Sequence, residues 1–193
     1  MIRCPSSLAV VACALSSVSH AASPSGDDVA TDAPGPCVVA LVDLSKVIPL
    51  GPEADPFSDR PVDDLCEPEA LQFEELGGEP VFSVETGACA YATTAAPLTV
   101  SLAPGDIVEA RVWHFSLFGP NAEAHVAVRV GDIDVLDERV AIPGESGLSL
   151  ASATLESVQP AGTLVYFHLH NHGANSWSWL GLRRKGCAAC SST

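Results

Sequence analysis

The side chains best suited to chemistry in this sequence are five histidines that all lie beyond residue 100. Neutral imidazole is a good ligand for zinc, copper or non-haem iron, and histidines two residues apart on a strand point to the same face. If a predicted turn at Gly119-Pro120 gives an even register, a metal site could form from His114, His125, His168, His170 and Glu123. An odd register sends the first two to opposite faces, and a row of hydrogen-bonded histidines needs no metal.

The elements that must position these histidines begin with residues 164–182, LVYFHLHNHGANSWSWLGL, whose period-two alternation predicts a β-hairpin. A turn near Gly173 puts Leu180 and Leu182 in the core, and the imidazoles and indoles on the opposite face. Exposed indoles stack on sugar rings, so this face predicts a ligand site made of Trp177, Trp179, Tyr166, His168, His170 and Asn175. On this interpretation Trp177→Ala abolishes polysaccharide retention with little change in melting temperature. The alternative is that the tryptophans are core residues, or that the segment 49–69 covers this face.

The charge balance of the chain excludes one class of partner. Of 193 residues, 24 are acidic and 9 are basic, so the formal net charge is −15. Such a surface repels phosphate backbones, and nucleic acid is therefore not an expected partner. An extracellular glycan or another small ligand is compatible with this charge, and the sequence does not indicate an oligomeric state.

The N-terminus predicts export. A short positive start is followed by an uncharged apolar run from Leu8 to Val18 and by small residues that end at Ala22, the pattern of a signal peptide over residues 1–22. The run is too short for a membrane-spanning helix and no other long apolar segment follows, so no transmembrane segment is expected. We therefore expect a secreted or periplasmic protein. The alternative is a lipid anchor through Cys13.

The rest of the chain predicts one domain over residues 37–190, between a disordered leader at 23–36 and a short tail at 191–193. Within this domain, the acidic and proline-rich segment 49–69 predicts a solvated loop. Four aspartates in this segment could bind calcium, namely Asp55, Asp59, Asp63 and Asp64. They lack the fixed spacing of a calcium loop.

Five cysteines follow the predicted signal peptide, and an oxidising compartment would pair most of them. We expect Cys66 to bond with Cys89, and Cys37 to bond with Cys187 or Cys190, with one thiol left over. The spacing of the last two cysteines also occurs in redox and zinc motifs. Because Cys187 and Cys190 lie at the end of this sequence rather than between a strand and a helix, we expect them to have a structural role.

Residues 71–182 show many short strands separated by turn signals, with no convincing helical period. This pattern predicts an all-β fold, either an antiparallel β-sandwich or a barrel. Catalytic motifs are poor, because Gly144-Glu145-Ser146-Gly147 is followed by Leu148 where a nucleophile elbow has its last glycine. We expect no enzymatic activity and no cofactor, unless the histidines hold a metal.

Two stretches carry a resemblance. APGDIVEARVWHF at 103–115 and PAGTLVYFHLHNHGANSWSWLGL at 160–182 resemble the strand openings and the closing asparagine-tryptophan hairpin of jelly-roll, galactose-binding-like modules and of uncharacterised secreted bacterial β-sandwich proteins. The resemblance implies a jelly-roll sandwich with a non-catalytic binding role, often toward carbohydrate. With the cysteines, we expect a disulfide-stapled jelly roll that acts as a secreted binding or surface-associated module. The alternatives are a metal-binding protein or metal-dependent enzyme, and a purely structural secreted protein.

Overall fold

The computed structural model describes residues 37–62 and 66–187. The predicted signal peptide, leader and tail, together with Cys13, Cys190, Asp63 and Asp64, lie outside the described residues. Short single turns of 3-10 helix are found at Leu44–Lys46, Pro52–Ala54 and Pro68–Ala70. The remaining regular structure is strand, as predicted: β1 Cys37–Ala40, β2 Ile48–Pro49, β3 Leu71–Leu76, β4 Glu79–Glu85, β5 Tyr91–Pro97, β6 Ile107–His114, β7 Leu117–Val130, β8 Ile133–Gly144, β9 Gly147–Thr154, β10 Leu164–His170 and β11 Ser176–Cys187.

The strands form two antiparallel sheets with the order of a jelly roll. Sheet I runs β3-β4-β11-β6-β9, with β1 also pairing with β11, and sheet II runs β2-β5-β10-β7-β8. If β4 to β11 are counted as strands one to eight, sheet I contains them in the order one, eight, three, six. Sheet II contains them in the order two, seven, four, five. This double Greek key defines the jelly-roll sandwich, and it confirms the predicted fold class.

Neither predicted hairpin forms. β10 pairs with β5 and β7 in sheet II, whereas β11 pairs with β4 and β6 in sheet I. β6 and β7 are likewise divided between the sheets, so His114 and His125 are not paired. The link between β10 and β11 crosses the sandwich, where Asn171 donates to the Thr86 hydroxyl at 2.7 Å and Asn175 accepts from the Phe118 amide at 2.6 Å. These long-range partners select a crossover over a local turn.

The tryptophans of β11 face the core, and the prediction that they face outward is wrong. Trp177 and Trp179 are each 0% exposed and Leu182 is 1% exposed, although residues 179 and 182 differ by an odd number of positions. Their common direction is allowed by a register shift between Trp179 and Leu182, where Gly181 has a φ of +87°. The bulge therefore replaces the strict alternation, and it removes Leu180 from the core.

The predicted Cys66–Cys89 disulfide is confirmed. It connects the segment before β3 to the turn before β5, with a sequence separation of 23 residues. In the backbone register of β1 and β11, Cys37 lies opposite Cys187. The bond expected between Cys37 and one of the two C-terminal cysteines stays a prediction.

We expect the Cys66→Ala/Cys89→Ala double variant to lose about 3 kcal/mol of unfolding free energy, because the bond restricts a loop of this length in the unfolded chain. Urea unfolding followed by circular dichroism measures this loss. The matched control is the same pair of chains in reducing agent, where every disulfide is broken and the two urea midpoints should coincide. Equal midpoints without reducing agent would contradict a stabilising disulfide.

Candidate functional site

Residues 50–62, hereafter the strap, pack over the outer face of sheet II. Phe57 stacks on the ring of His168 with 4.2 Å between centroids, and the Arg129 guanidinium lies 4.7 Å from the Phe57 centroid. The Asp55 carboxylate accepts from the Tyr91 hydroxyl at 2.7 Å and pairs with Arg60 at 2.8 Å. The Asp55 side chain is only 2% exposed. The prediction of a solvated loop is therefore wrong for this part of segment 49–69.

One aspartate of the strap, Asp59, contacts three histidines on the outer face of sheet II. Asp59 Oδ2 lies 2.8 Å from His125 Nδ1, 3.3 Å from His170 Nδ1 and 3.4 Å from His168 Nε2. Asp59 Oδ1 lies 3.2 Å from His168 Nε2, but it has no hydrogen-bond partner in the described part of the chain. Adjacent strands supply the imidazoles, because β7 and β10 pair with His125 opposite His170. We call Asp59, His125, His168 and His170 the histidine cluster.

Burial and charge fix the protonation of this cluster. His168 is 0% exposed, and the loss of solvation lowers its pKa to about 4 even though Asp59 acts in the opposite direction. Burial raises the pKa of Asp59, but the His125 hydrogen bond and the charges of His168 and His125 outweigh it and lower that pKa. At neutral pH His168 is neutral, so hydrogen bonds rather than an imidazolium at His168 hold the carboxylate.

The structure brings together three of the five predicted metal ligands. His125, His168 and His170 converge, whereas His114 lies in sheet I, where its Nδ1 is 2.9 Å from the Phe115 carbonyl and its ring is 4.6 Å from Trp177. Glu123 is exposed on β7 and lies opposite Ala141. The prediction is wrong for His114 because β6 and β7 belong to different sheets. Asp59 takes the place of the predicted carboxylate, and its position in a loop without periodicity gave no indication of its partners.

The predicted sugar-stacking face does not exist in this fold. Trp177, Trp179 and Asn175 are buried between the sheets, and His168 is buried beneath the strap. Tyr166 and His170 are only partly exposed on β10. With the indoles inside, the described residues of this face offer no aromatic platform to a ligand.

An open groove is instead found on sheet I. Along one side of β11, β4 pairs with residues 176–179 and β1 pairs with residues 183–187, which leaves a gap at Leu180 and Gly181. The groove has a volume of about 360 Å³. Its walls are mostly apolar and include Val38, Val42, Leu44, Phe73, Pro80 and Leu180. Phe73 is 55% exposed there, so its ring is accessible to a ligand.

The polar groups of the groove are few and charged. Arg111 pairs with Glu79 at 2.6 Å, and both residues line the groove together with Asp43 and Arg183. The Nε of Arg111 is buried and has no hydrogen-bond partner among the described residues. A cavity of this size, apolar with a few convergent polar groups, is typical of small-ligand sites.

The fold and sites together define a jelly-roll β-sandwich with an open groove on one sheet and a covered histidine cluster on the other. Within residues 37–62 and 66–187, no helix is long and apolar enough to cross a membrane.

No family model matches this chain, and no curated protein matches it. Solved structures similar to it include the mannan-recognising carbohydrate-binding module TmCBM27, with a TM-score of 0.46, 6% identity, and coverage of 78% of this chain and 96% of that chain. A CBM4 structure matches with a TM-score of 0.34, 15% identity, and coverage of 63% and 94%. The CBM22-1–GH10 modules of Clostridium thermocellum xylanase Xyn10B with xylohexaose match with a TM-score of 0.43, 11% identity, and coverage of 80% and 29%. The jelly-roll assignment rests on the strand order described above.

Proposed function

We propose that this chain is a secreted, non-catalytic binding module that holds a neutral glycan in the groove of sheet I. The observation that carries the proposal is the exposed ring of Phe73 in an apolar cavity of about 360 Å³ that also contains the Arg111–Glu79 pair. An aromatic ring packs against the CH face of a sugar, and charged side chains hydrogen-bond its hydroxyl groups.

The polar atoms of the groove favour a ligand that is rich in hydroxyl groups. The guanidinium groups of Arg111 and Arg183 line the groove and can donate hydrogen bonds to hydroxyl oxygens of a ligand. Carboxylates from Asp43 and Glu79 accept hydrogen bonds from hydroxyl groups on the same ligand. The net charge of −15 disfavours acidic polysaccharides, so we infer a neutral one.

We expect Phe73→Ala to lower the affinity for a retained neutral polysaccharide by about tenfold or more, because Phe73 is the only aromatic side chain among the described residues that line the groove. Affinity electrophoresis in gels that contain mannan, xylan or β-glucan, with EDTA present, measures this loss. The matched control is Phe118→Ala, since Phe118 is 68% exposed at the start of β7 and lies outside the groove. Equal retention of the two variants, or no retention of the wild-type chain, would contradict the proposal and favour a purely structural protein.

A further inference from the structure

We propose that the histidine cluster is a binding site for one divalent first-row transition-metal ion, with Asp59, His125 and His168 as ligands and His170 beside the open position. The proposal concerns a site on sheet II and is independent of glycan binding on sheet I. The ligand atoms of Asp59, His125 and His168 all lie within 4.8 Å of one another. In a tetrahedral zinc site with bonds of about 2.0–2.1 Å, ligand atoms lie about 3.3 Å apart, so small side-chain movements complete the site.

A chain of hydrogen bonds determines which nitrogen of His168 carries the proton. Asp55 is a carboxylate that only accepts, and it receives the Tyr91 hydroxyl proton at 2.7 Å. Tyr91 Oη in turn accepts from Thr93 Oγ1 at 3.4 Å, so Thr93 Oγ1 is free to accept from His168 Nδ1 at 2.9 Å. The proton of neutral His168 therefore lies on Nδ1, and Nε2 presents a lone pair.

That lone pair faces the Asp59 carboxylate. His168 Nε2 and Asp59 Oδ1 are 3.2 Å apart, and Asp59 Oδ1 has no hydrogen-bond donor among the described residues. Two electron-rich atoms at this distance in a buried site repel each other unless a proton or a cation lies between them. A second proton, on Nε2, would place a charged imidazolium at a side chain that is 0% exposed, which is costly. A metal ion removes the conflict without charging the imidazole.

The surroundings of the cluster have the supporting contacts of a metal site. Metal-binding histidines usually donate their second ring N–H to an oxygen that fixes the ring. Thr93 has this position for His168, and Asp137 Oδ1 lies 3.2 Å from Nε2 of His125. A polar cavity of about 250 Å³, lined by Asp59, His125 and Asp137 among others, opens beside the cluster and gives an ion access.

The donor set selects the class of metal. Calcium prefers six to eight oxygen ligands, and two or three imidazoles with one carboxylate do not supply them. Imidazole with carboxylate suits zinc, cobalt, nickel and copper. Calcium binding by the aspartates of segment 49–69 is also disfavoured here, since Asp55 is already satisfied by Tyr91, Arg60 and the Phe57 amide.

The test uses the untagged full chain, stripped with EDTA and desalted, without polysaccharide. After zinc is added back and the excess is removed by a second desalting step, we expect one zinc per chain by elemental analysis. We also expect a rise of several degrees in thermal midpoint at about a hundredfold excess of zinc over its Kd. Cobalt should give the visible bands of tetrahedral nitrogen and oxygen coordination, without a thiolate charge-transfer band. A stabilisation by calcium equal to that by zinc, or a cobalt spectrum of thiolate type, would refute the site.

Three variants locate the ion. Asp59→Asn keeps the shape of the side chain and is expected to weaken zinc binding by about a hundredfold, while Asp137→Ala, which removes the acceptor for His125 Nε2, weakens it by about tenfold. Asp137 is 52% exposed, so this second variant tests the site without endangering the fold. His172→Gln is the matched control, because His172 is exposed and makes no contact with Asp59 among those described. Wild-type zinc affinity in both aspartate variants would overturn the proposal.

Discussion

Trp177→Ala is expected to lower the free energy of unfolding by about 3–5 kcal/mol, the usual cost of removing a large aromatic side chain from a core. Trp177 is 0% exposed, and its indole N–H donates to Asn171 Oδ1 at 3.2 Å in the link that crosses the sandwich. The variant therefore leaves a cavity, and it removes the shorter of two hydrogen bonds to the Asn171 amide oxygen. Because small domains are stable by only about 5–15 kcal/mol, this loss is a large fraction of the total stability.

Urea unfolding followed by far-ultraviolet circular dichroism measures this loss without relying on tryptophan fluorescence. The matched control is Trp113→Ala, since Trp113 lies on the outer face of sheet I and is only partly buried. We expect it to lose about 1 kcal/mol or less. An unchanged urea midpoint for Trp177→Ala, with loss of polysaccharide retention, would instead support an exposed indole at this position.

In metal-free protein, stability should fall by about 3 kcal/mol as the pH falls from 7 to 4. The pKa of His168 is about 4 in the folded chain against 6.5 for the free side chain, a difference that corresponds to this free energy at about 1.4 kcal/mol per pH unit. Because the folded pKa is lowered, the unfolded chain binds the extra proton. The stabilisation is complete above pH 6.5 and is lost as the pH falls toward 4.

Urea unfolding at several pH values in EDTA measures this slope, and His168→Gln should flatten it whatever its own stability. His172→Gln is the control and should keep the wild-type slope, because its side chain is exposed. Asp59 has a lowered pKa, so its own contribution disappears only below the range of a free carboxyl group. A wild-type slope in His168→Gln would contradict the assignment of this titration to His168.

The pattern of β10 was predictable because its side chains point alternately to the core and to the outer face of sheet II. In β10, Val165, Phe167 and Leu169 face the core of the sandwich, and His168 and His170 face away from it. Pairing was not predictable in the same way. A five-residue link suits a hairpin as well as a crossover, and the choice depends on β5 and β7, which are distant in sequence.

The second arm was mispredicted for a different reason. Strict alternation forces a choice between Trp177 with Trp179 on one face and Leu180 with Leu182 on the other. The bulge at Gly181 buries three of these four residues. The structure shows a positive φ at this residue, and the glycine itself was the only sign in the sequence that alternation could end there. Asp59 was noted as an acidic residue, but its partners depend on how the strap crosses sheet II, which no local pattern encodes.

The position of β11 also affects how the sandwich is made. β11 is the last described strand in sequence, yet it lies between β4 and β6 in sheet I, and Val39 near the first described residue pairs with Arg184. Proteins whose strands pair residues that are far apart in sequence fold slowly, in about milliseconds to seconds. Until residues 176–187 have been synthesised, β4 and β6 each present an unpaired edge. Closing sheet I requires β11, so we expect chains that lack this strand to aggregate or to be degraded.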